Sequence, residues 1–257
     1  ETAQIMEYSN QLEAKSGELT TTARQLRDAN EKLTKLSIQK DAFLSQISHE
    51  LRTPMTSIRA FSEILQDPDL KLGDRPKYAM IIQDETQRLT RLLDDLLDLS
   101  VLENGQVKLD LQSTRLCNIL DRAQASANVD HVIRISRNGG SEDVELLTDP
   151  DRLTQVFINL ISNAAKYCDA KPAELWINVS EASEGLNVDF IDNGSGVDKG
   201  HQDMIFEKFA RASDHSKSGG AGLGLSICRE IITNLGGNIA YLPGQRGAAF
   251  RISLPQA

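Results

Sequence analysis

His49 is the first residue of this chain whose surroundings suggest chemistry. It stands in the segment FLSQISHELRTPMTS, with Glu50 beside it, Thr53 one helical turn on, and Pro54 next to that. On a helix that turns by about 100° per residue, His49 lies about 200° from Ile47 and about 160° from Leu51, so it points away from the apolar stripe into solvent. A neutral imidazole nitrogen is a competent nucleophile near pH 7, and an adjacent carboxylate can polarise or deprotonate the ring. Pro54 has no N–H, which leaves the Glu50 carbonyl without a helical partner and favours a bend there. A proline in such a stripe costs about 3 kcal/mol unless it has a use. An ordinary exposed histidine is the competing reading, and these residues alone leave both open.

Three further groups invite a ligand. Asp149 and Pro150 open a helix as N-cap and first residue. Along it, Asn159, Asn163 and Lys166 form one polar row beside the apolar face of Leu153, Leu160 and Ala164. Solvated amides at a helix edge would explain the row. So would a ligand, because an amide oxygen suits Mg2+ and a lysine suits a phosphate. Asp192-Asn193-Gly194-Ser195-Gly196 follows the strand-like run Leu186–Ile191. It reads as a plain turn, or as an acceptor at a strand end with glycines that let a planar ligand approach. A carboxylate there accepts a hydrogen bond from the amino group of adenine and repels the carbonyl of guanine. Last, Gly219-Gly220-Ala221-Gly222-Leu223-Gly224-Leu225 opens a helix whose backbone N–H groups could cradle phosphate. It is neither a Walker A loop nor a G-x-G-x-x-G after a strand, so alone it is weak. The polar stretch of about 20 residues before it, with Phe206, Phe209 and Arg211, resembles a mobile lid.

The elements that must position these groups fall into three stretches. Ile5, Leu12, Leu19, Leu26 and Leu33 recur every seven residues, with Ser9, Ser16, Ala23, Asn30 and Ser37 on the other seam, which predicts a modest coiled coil. A single amphipathic helix on a neighbour is the alternative. The helical stripe then continues through Phe43, Ile47, Leu51, Ile58, Phe61 and Leu65. A loop at 66–74 carries Pro68 and Gly73, and a second stripe runs from Tyr78 to Leu99, ending at Asn104-Gly105. Two long helices so joined make a hairpin whose apolar face is covered by dimerisation into a four-helix bundle. After Gly105, short runs at Val132–Ser136, Leu175–Ser180, Leu186–Ile191, Asn238–Leu242 and Ala249–Leu254 read as strands. Helices are expected near Asn118–Ala127, Pro150–Cys168 and Gly222–Leu235. The fold class is therefore multidomain, α followed by α+β, with the last two strands as a hairpin.

Composition narrows the possibilities. At 257 residues and 40% hydrophobic, the chain has material for a real core. A net charge of −9 argues against binding nucleic acid through its phosphates. Cys117, Cys168 and Cys228 lie far apart, which is neither a disulfide framework nor a zinc site, and each is expected in the core. His131, His201 and His215 lack ligand spacing and read as structural or solvated. No apolar run reaches the length of a membrane span. The chain starts at Glu1 without Met, which is expected of a fragment whose beginning is missing.

Taken in order, the motifs resemble the transmitter core of two-component sensor histidine kinases. FLSQISHELRTPMTSI is similar to the family's H box, QVFINLISNAAKY to its N box, DNGSGV to the first glycine box, IFEKFAR to the F box and GGAGLGLSI to the second glycine box. The resemblance covers about Lys40 to Leu254. It implies a coiled-coil signalling helix at 1–39, a dimerisation and histidine-phosphotransfer domain at 40–104, and a catalytic ATP-binding domain at 105–257, an α/β sandwich of the gyrase type. It makes His49 the phosphoacceptor, Glu50 the base or tautomer holder, and Thr53 the residue that orients a water during dephosphorylation of a partner. Asn163 would hold Mg2+, with Asn159, Lys166 and Tyr167 nearby on ATP. Asp192 would read adenine. Gly194, Gly196, Gly220, Gly222, Leu223 and Gly224 would shape the pocket, and Arg211 would reach the γ-phosphate. Ala221 departs from the Thr or Ser often found there, which puts one hydroxyl near the phosphates in doubt.

The implied activity is autophosphorylation of His49 from ATP and transfer to an aspartate of a response regulator receiver domain, with phosphatase action in reverse. The implied assembly is a homodimer hinged near 102–107, either cytoplasmic or the cytoplasmic portion of a membrane-anchored sensor, with the sensory input expected in the missing N-terminal part. A stand-alone ATPase of the same nucleotide fold and a degenerate dimeric scaffold remain as alternatives. A histidine on the dimer helix argues against the first, and intact His49, Asn163 and Asp192 argue against the second.

Overall fold

The structure is a computed structural model that describes residues 2–103, 108–138, 143–182, 185–210 and 222–255, with side chains from Lys15 onward. The chain divides into two compact units, Glu1–Thr53 and Pro54–Ala257. Among the described residues no helix is long and apolar enough to cross a membrane.

The first unit is the greater part of helix α1 (Thr2–Leu65), which runs through Pro54 without a break in its assignment. The heptad leucines within the described side chains, Leu19, Leu26 and Leu33, are all about two-thirds exposed. Ile5 and Leu12 have side chains outside the described set. Thr20, Thr21, Thr22 and Thr34 turn their hydroxyls back onto the carbonyls four residues earlier, so these polar groups serve the helix itself.

The second unit begins with the end of α1, a turn and α2 (Arg75–Glu103). The turn carries the expected breakers and closes on itself through Leu70 N–H to the Asp67 carbonyl and Asp74 N–H to the Lys71 carbonyl. Phe61 stacks on Tyr78 with ring centroids 5.6 Å apart, which ties the two arms of the hairpin. Met80, Leu93 and Leu97 remain exposed on α2.

A five-stranded sheet, order β2-β4-β5-β7-β6, forms the floor of the rest. It comprises β2 (Arg134–Asn138), β4 (Glu174–Ala182), β5 (Gly185–Asp192), β6 (Asn238–Tyr241) and β7 (Ala249–Pro255). β2 pairs parallel to β4 and the other neighbours are antiparallel, with β6 and β7 as the expected hairpin. Helices α3 (Leu116–Ala127), α4 (Pro150–Tyr167) and α5 (Gly224–Asn234) lie side by side. The alternation of strand residues decides what they cover. Leu175, Ile177 and Val179 share one face with Leu186, Val188, Phe190, Ile252 and Leu254, and all are buried. Phe157 of α4 meets Phe190 at 5.3 Å. The opposite face is polar, and there Arg251 grips Asp189 with two bonds of 2.7 Å.

Sequence periodicity missed one small element. β1 (Gln112–Arg115) and β3 (Glu145–Thr148) pair antiparallel as a separate two-stranded ribbon. Four-residue strands are too short to display a period. Two of the three cysteines also differ from expectation. Cys228 is buried, but Cys117 and Cys168 are only half-buried and sit beside polar groups, because each lies at a helix end.

Helix α2 lies against α5, and Leu92, Leu99 and Leu102 of α2 are buried. Asp98 accepts from Arg152 Nη1 at 3.1 Å and from Gln155 Nε2 at 2.8 Å, which joins α2 to the start of α4. Asp95 has no such relief. Burial, with Asp98 and then Asp94, pushes its carboxyl from 3.8 up to about 6, against the pull of Arg91. The folded chain thus holds this proton more tightly than the unfolded chain. The stability it contributes is full below about pH 4 and is lost as pH rises through 6. Asp95→Asn is therefore expected to stabilise the chain at pH 7 by about 1 kcal/mol, a few degrees in Tm, after discounting for solvent screening. Thermal melts at pH 4 and pH 7 check it: the gain should vanish at pH 4, and no gain at pH 7 refutes it.

Candidate functional site

Helix α4 makes one wall of the site. Asp149 caps it by accepting from the backbone N–H groups of Asp151 and Arg152 at 3.1 and 3.0 Å, and its second oxygen accepts the Asp110 N–H at 3.0 Å. Leu153, Val156, Phe157, Leu160, Ile161 and Ala164 are buried. That fixes the helix rotation and leaves Asn159, Asn163 and Lys166 as a half-buried row along its edge. Tyr167 is exposed at the end of the helix, with Lys166 Nζ 4.8 Å from its ring centre.

Asp192 ends strand β5. By alternation it belongs to the same face as Phe190 and Val188, so its side chain is only 6% exposed. Its Oδ1 accepts the N–H of Gly194 at 2.9 Å and of Ala248 at 3.0 Å. Burial raises its pKa above the usual carboxylate range, those two N–H groups draw it back, and the nearby charge of Asp169 adds to the rise. The loop that follows is tied down on both sides. Asn193 Oδ1 accepts the Glu174 N–H at 2.8 Å, and its amide donates to the Pro172 carbonyl at 2.9 Å. Ser195 N–H bonds Asp169 Oδ1 at 2.8 Å, and Val197 N–H bonds Tyr241 Oη at 3.2 Å. Gly196 takes φ 78°, in the left-handed region open to glycine.

The start of α5 makes the third wall. Gly222 has φ 73°, and a Cβ there would meet the backbone of Phe209 and Ala210 at 2.8 Å. Phe209 N–H bonds the Gly222 carbonyl at 2.9 Å. Phe206 is buried edge-on to Phe250, and the Arg229 guanidinium lies 4.6 Å above its ring. These contacts fasten the F-box segment to α5. Leu223 is buried at the N-cap of α5 and supplies no side-chain cap, so the opening turn keeps backbone N–H groups for a ligand. Gly224 places α5 against α4: a Cβ on it would come within 3.5 Å of Asn159 Oδ1.

The second unit thus gathers Asn159, Asn163, Lys166, Tyr167, Asp192, Gly194, Gly196, Gly222, Leu223 and Gly224 on three neighbouring elements. Gly220, Arg211 and Ala221 lie outside the described residues, as do His215 and the greater part of the expected hinge. His49, Glu50 and Thr53 belong to the first unit. There His49 and Thr53 are exposed and Glu50 is buried. Thr53 Oγ1 donates to the His49 carbonyl at 3.2 Å, so in this conformer the hydroxyl is turned back onto its own helix.

Four contributors escaped sequence reasoning: Asp169, Tyr241, Gly247 and Ala248. A Cβ on Gly247 would lie 2.3 Å from both the Asp192 carbonyl oxygen and Oδ1. Only the pairing of β5 with β7, which sets Ile191 opposite Ala249, brings that hairpin loop to Asp192. Among the described residues no cluster of three or more His, Cys, Asp or Glu side chains could hold a metal by itself. A lone amide oxygen such as that of Asn163 suits a hard cation that brings its own waters and phosphate oxygens.

Comparison with known proteins gives the same picture. Residues 148–257 match the family of histidine kinase-, DNA gyrase B- and HSP90-like ATPases, and residues 39–105 match the His Kinase A (phospho-acceptor) domain. The chain is 33% identical over 213 residues to the sensor histidine kinase WalK of Bacillus subtilis, covering 80% of this chain and 34% of that protein. It is 35% identical over 244 residues to the sensor protein KdpD of Escherichia coli, covering 93% of this chain and 26% of that protein. It thus spans about a third or less of these relatives. In fold it is similar to histidine kinase ThkA, solved in complex with the response regulator protein TrrA, at TM-score 0.68 and 23% identity over 84% of this chain and 61% of that one.

Gly247→Ala tests the geometry directly. The added methyl must displace the Asp192 backbone, so adenine-nucleotide affinity is expected to fall by about tenfold or more, with a stability loss of roughly 1–3 kcal/mol. Calorimetric titration with ATP beside a thermal melt reads both, and wild-type affinity in the variant would contradict the placement of the hairpin loop.

Proposed function

The chain belongs to the sensor histidine kinase family of two-component systems, and we propose that it uses ATP to phosphorylate His49 and passes the phosphoryl group to an aspartate of a response regulator receiver domain. The observation that carries the nucleotide half is Asp192. One of its oxygens is committed to two backbone N–H groups, which aims the carboxylate from a buried strand end beside the amide row of α4. The second oxygen is the acceptor for the amino group of adenine. Asn159, Lys166 and Tyr167 then lie along the nucleotide. Asn163 supplies one oxygen to Mg2+, which when bound neutralises charge on the phosphates. The opening turn of α5, with Gly222, Leu223 and Gly224, offers N–H groups to the same phosphates, joined by Gly220 and Arg211.

The chemical step needs positioning more than covalent help. An imidazole nitrogen of His49 bonds to the γ-phosphorus as the bond to the ADP oxygen breaks. Glu50 keeps the imidazole in the tautomer with a free nitrogen and takes the proton. The product phosphoramidate is labile enough to pass its phosphoryl group to a carboxylate. In the reverse direction Thr53, once rotated off the His49 carbonyl, orients the water that dephosphorylates the regulator. ThkA, similar in fold, was solved with a response regulator, which supports that class of partner.

Residues 1–39 act as the signalling coiled coil, 40–104 as the dimerisation and phosphotransfer domain and 105–257 as the catalytic domain. The exposed rows of Leu19, Leu26 and Leu33 and of Met80, Leu93 and Leu97 are surfaces for a second copy of the chain. A cytoplasmic location suits an ATP-consuming kinase with reduced cysteines.

Incubation with γ-labelled ATP and Mg2+ tests the reading. Wild type should acquire an acid-labile, alkali-stable label, and His49→Gln should acquire none while binding ATP nearly as well. Steady phosphate release without label would instead favour a stand-alone ATPase. Asn163→Ala should lose the Mg2+-dependent part of nucleotide affinity, and unchanged affinity with and without Mg2+ would remove it from the metal role.

A further inference from the structure

We propose that Asp169, just beyond the end of α4, is a positioning residue that sets the purine preference of the nucleotide pocket by fastening the loop that aims Asp192. The inference rests on Asp192 as the acceptor for the base.

The backbone N–H groups of that loop have separate anchors. Asn193 N–H bonds the Glu174 carbonyl at 3.2 Å, Gly194 N–H bonds Asp192 itself, and Val197 N–H bonds Tyr241 on the sheet. Ser195 N–H bonds Asp169 Oδ1 at 2.8 Å. That bond joins the loop to the segment leaving α4, two residues beyond Tyr167 and three beyond Lys166. It therefore sets the distance between the base acceptor and the side chains that flank the nucleotide. The carboxylate of Asp169 is exposed, and its bonds from Ser195 hold its pKa below the ordinary value, so it carries a full negative charge at neutral pH.

Gly194 brings the two carboxylates onto one spot. A Cβ there would lie 3.0 Å from Asp169 Oδ1 and 3.2 Å from Asp192 Oδ1. A purine edge that approaches past Gly194 comes close to both carboxylates. An amino group at C6 is welcome, and a carbonyl at C6 is repelled by both charges. Asp169 is thus expected to add discrimination between adenine and 6-oxopurines without contacting the phosphates.

The test compares ATP with ITP, whose base carries a carbonyl at C6, by displacement of a fluorescent nucleotide from the full chain. For Asp169→Ala the ITP-to-ATP ratio of Kd values should fall by roughly three- to tenfold, mainly through weaker ATP binding, as loss of a charge-assisted bond predicts. Asp169→Asn keeps an acceptor for Ser195 and should restore ATP affinity to within about twofold of wild type. An unchanged ratio in Asp169→Ala, equal weakening of both nucleotides, or an Asn variant no better than Ala overturns the proposal. Asp192→Asn separates the two levels. If it loses the ratio while Asp169→Ala keeps it, only the role of Asp169 fails. If it keeps the ratio, the base-reading role of Asp192 fails, and the proposal with it.

Discussion

The buried carboxylate of Asp192 is the constraint around which the catalytic half of this chain is arranged. A charged group this deep in a helix–sheet interface is tolerated only where hydrogen bonds replace the water it lost. Gly194 and Ala248 supply them, from a loop and a hairpin that are 54 residues apart in the chain. Both segments must approach closely: at 247 a methyl group would collide with Asp192, and at 194 it would crowd Asp169 and Asp192 at 3.0 and 3.2 Å. The stability of the hairpin, the pairing of β5 with β7 and the conformation of the loop at 193–197 are thereby coupled to one side chain.

The amphipathic character of α4 sets a polar row beside the sheet. Its five large buried apolar residues, with Ala164, lock its rotation against Phe190 and the sheet, which leaves the row from Asn159 to Lys166 at the half-buried edge of the helix. The same helix takes up the second half of the unit through Arg152 and Gln155, which hold Asp98 of α2. Helices α2 and α4 are thus joined by an interface that holds a part-buried acidic pair, Asp95 and Asp98.

The proposed phosphoacceptor is built on the opposite principle. His49 is exposed on a helix face, its neighbour Glu50 is buried, and Thr53 bonds back to the His49 carbonyl. The imidazole is open to solvent, whereas the carboxylate proposed to read the base is buried and held by backbone N–H groups. On the proposed reading one half of the chemistry asks for access and the other for enclosure, and the residues concerned stand in different units.

Much of this was legible in the sequence. The long helices follow from stripes of period 3.6, the five sheet strands from short alternating runs, the start of α4 from Asp149-Pro150, and the end of α5 from Gly236-Gly237. Those signals are local, set by which side chains a turn of helix or a pleat brings to one face. The motifs around His49, Asn163, Asp192 and Gly222 could likewise be read directly, because each is a contiguous run. What stayed hidden was non-local. The β1–β3 ribbon joins two four-residue strands too short to show a period. Gly247 and Ala248 reach Asp192 only because β7 pairs with β5 in one register. Asp169 looked like an ordinary residue after a helix until the fold set it against Ser195. Periodicity and motif are properties of neighbours in the chain, whereas the contacts that orient a buried charge are decided by the tertiary structure that excludes water around it.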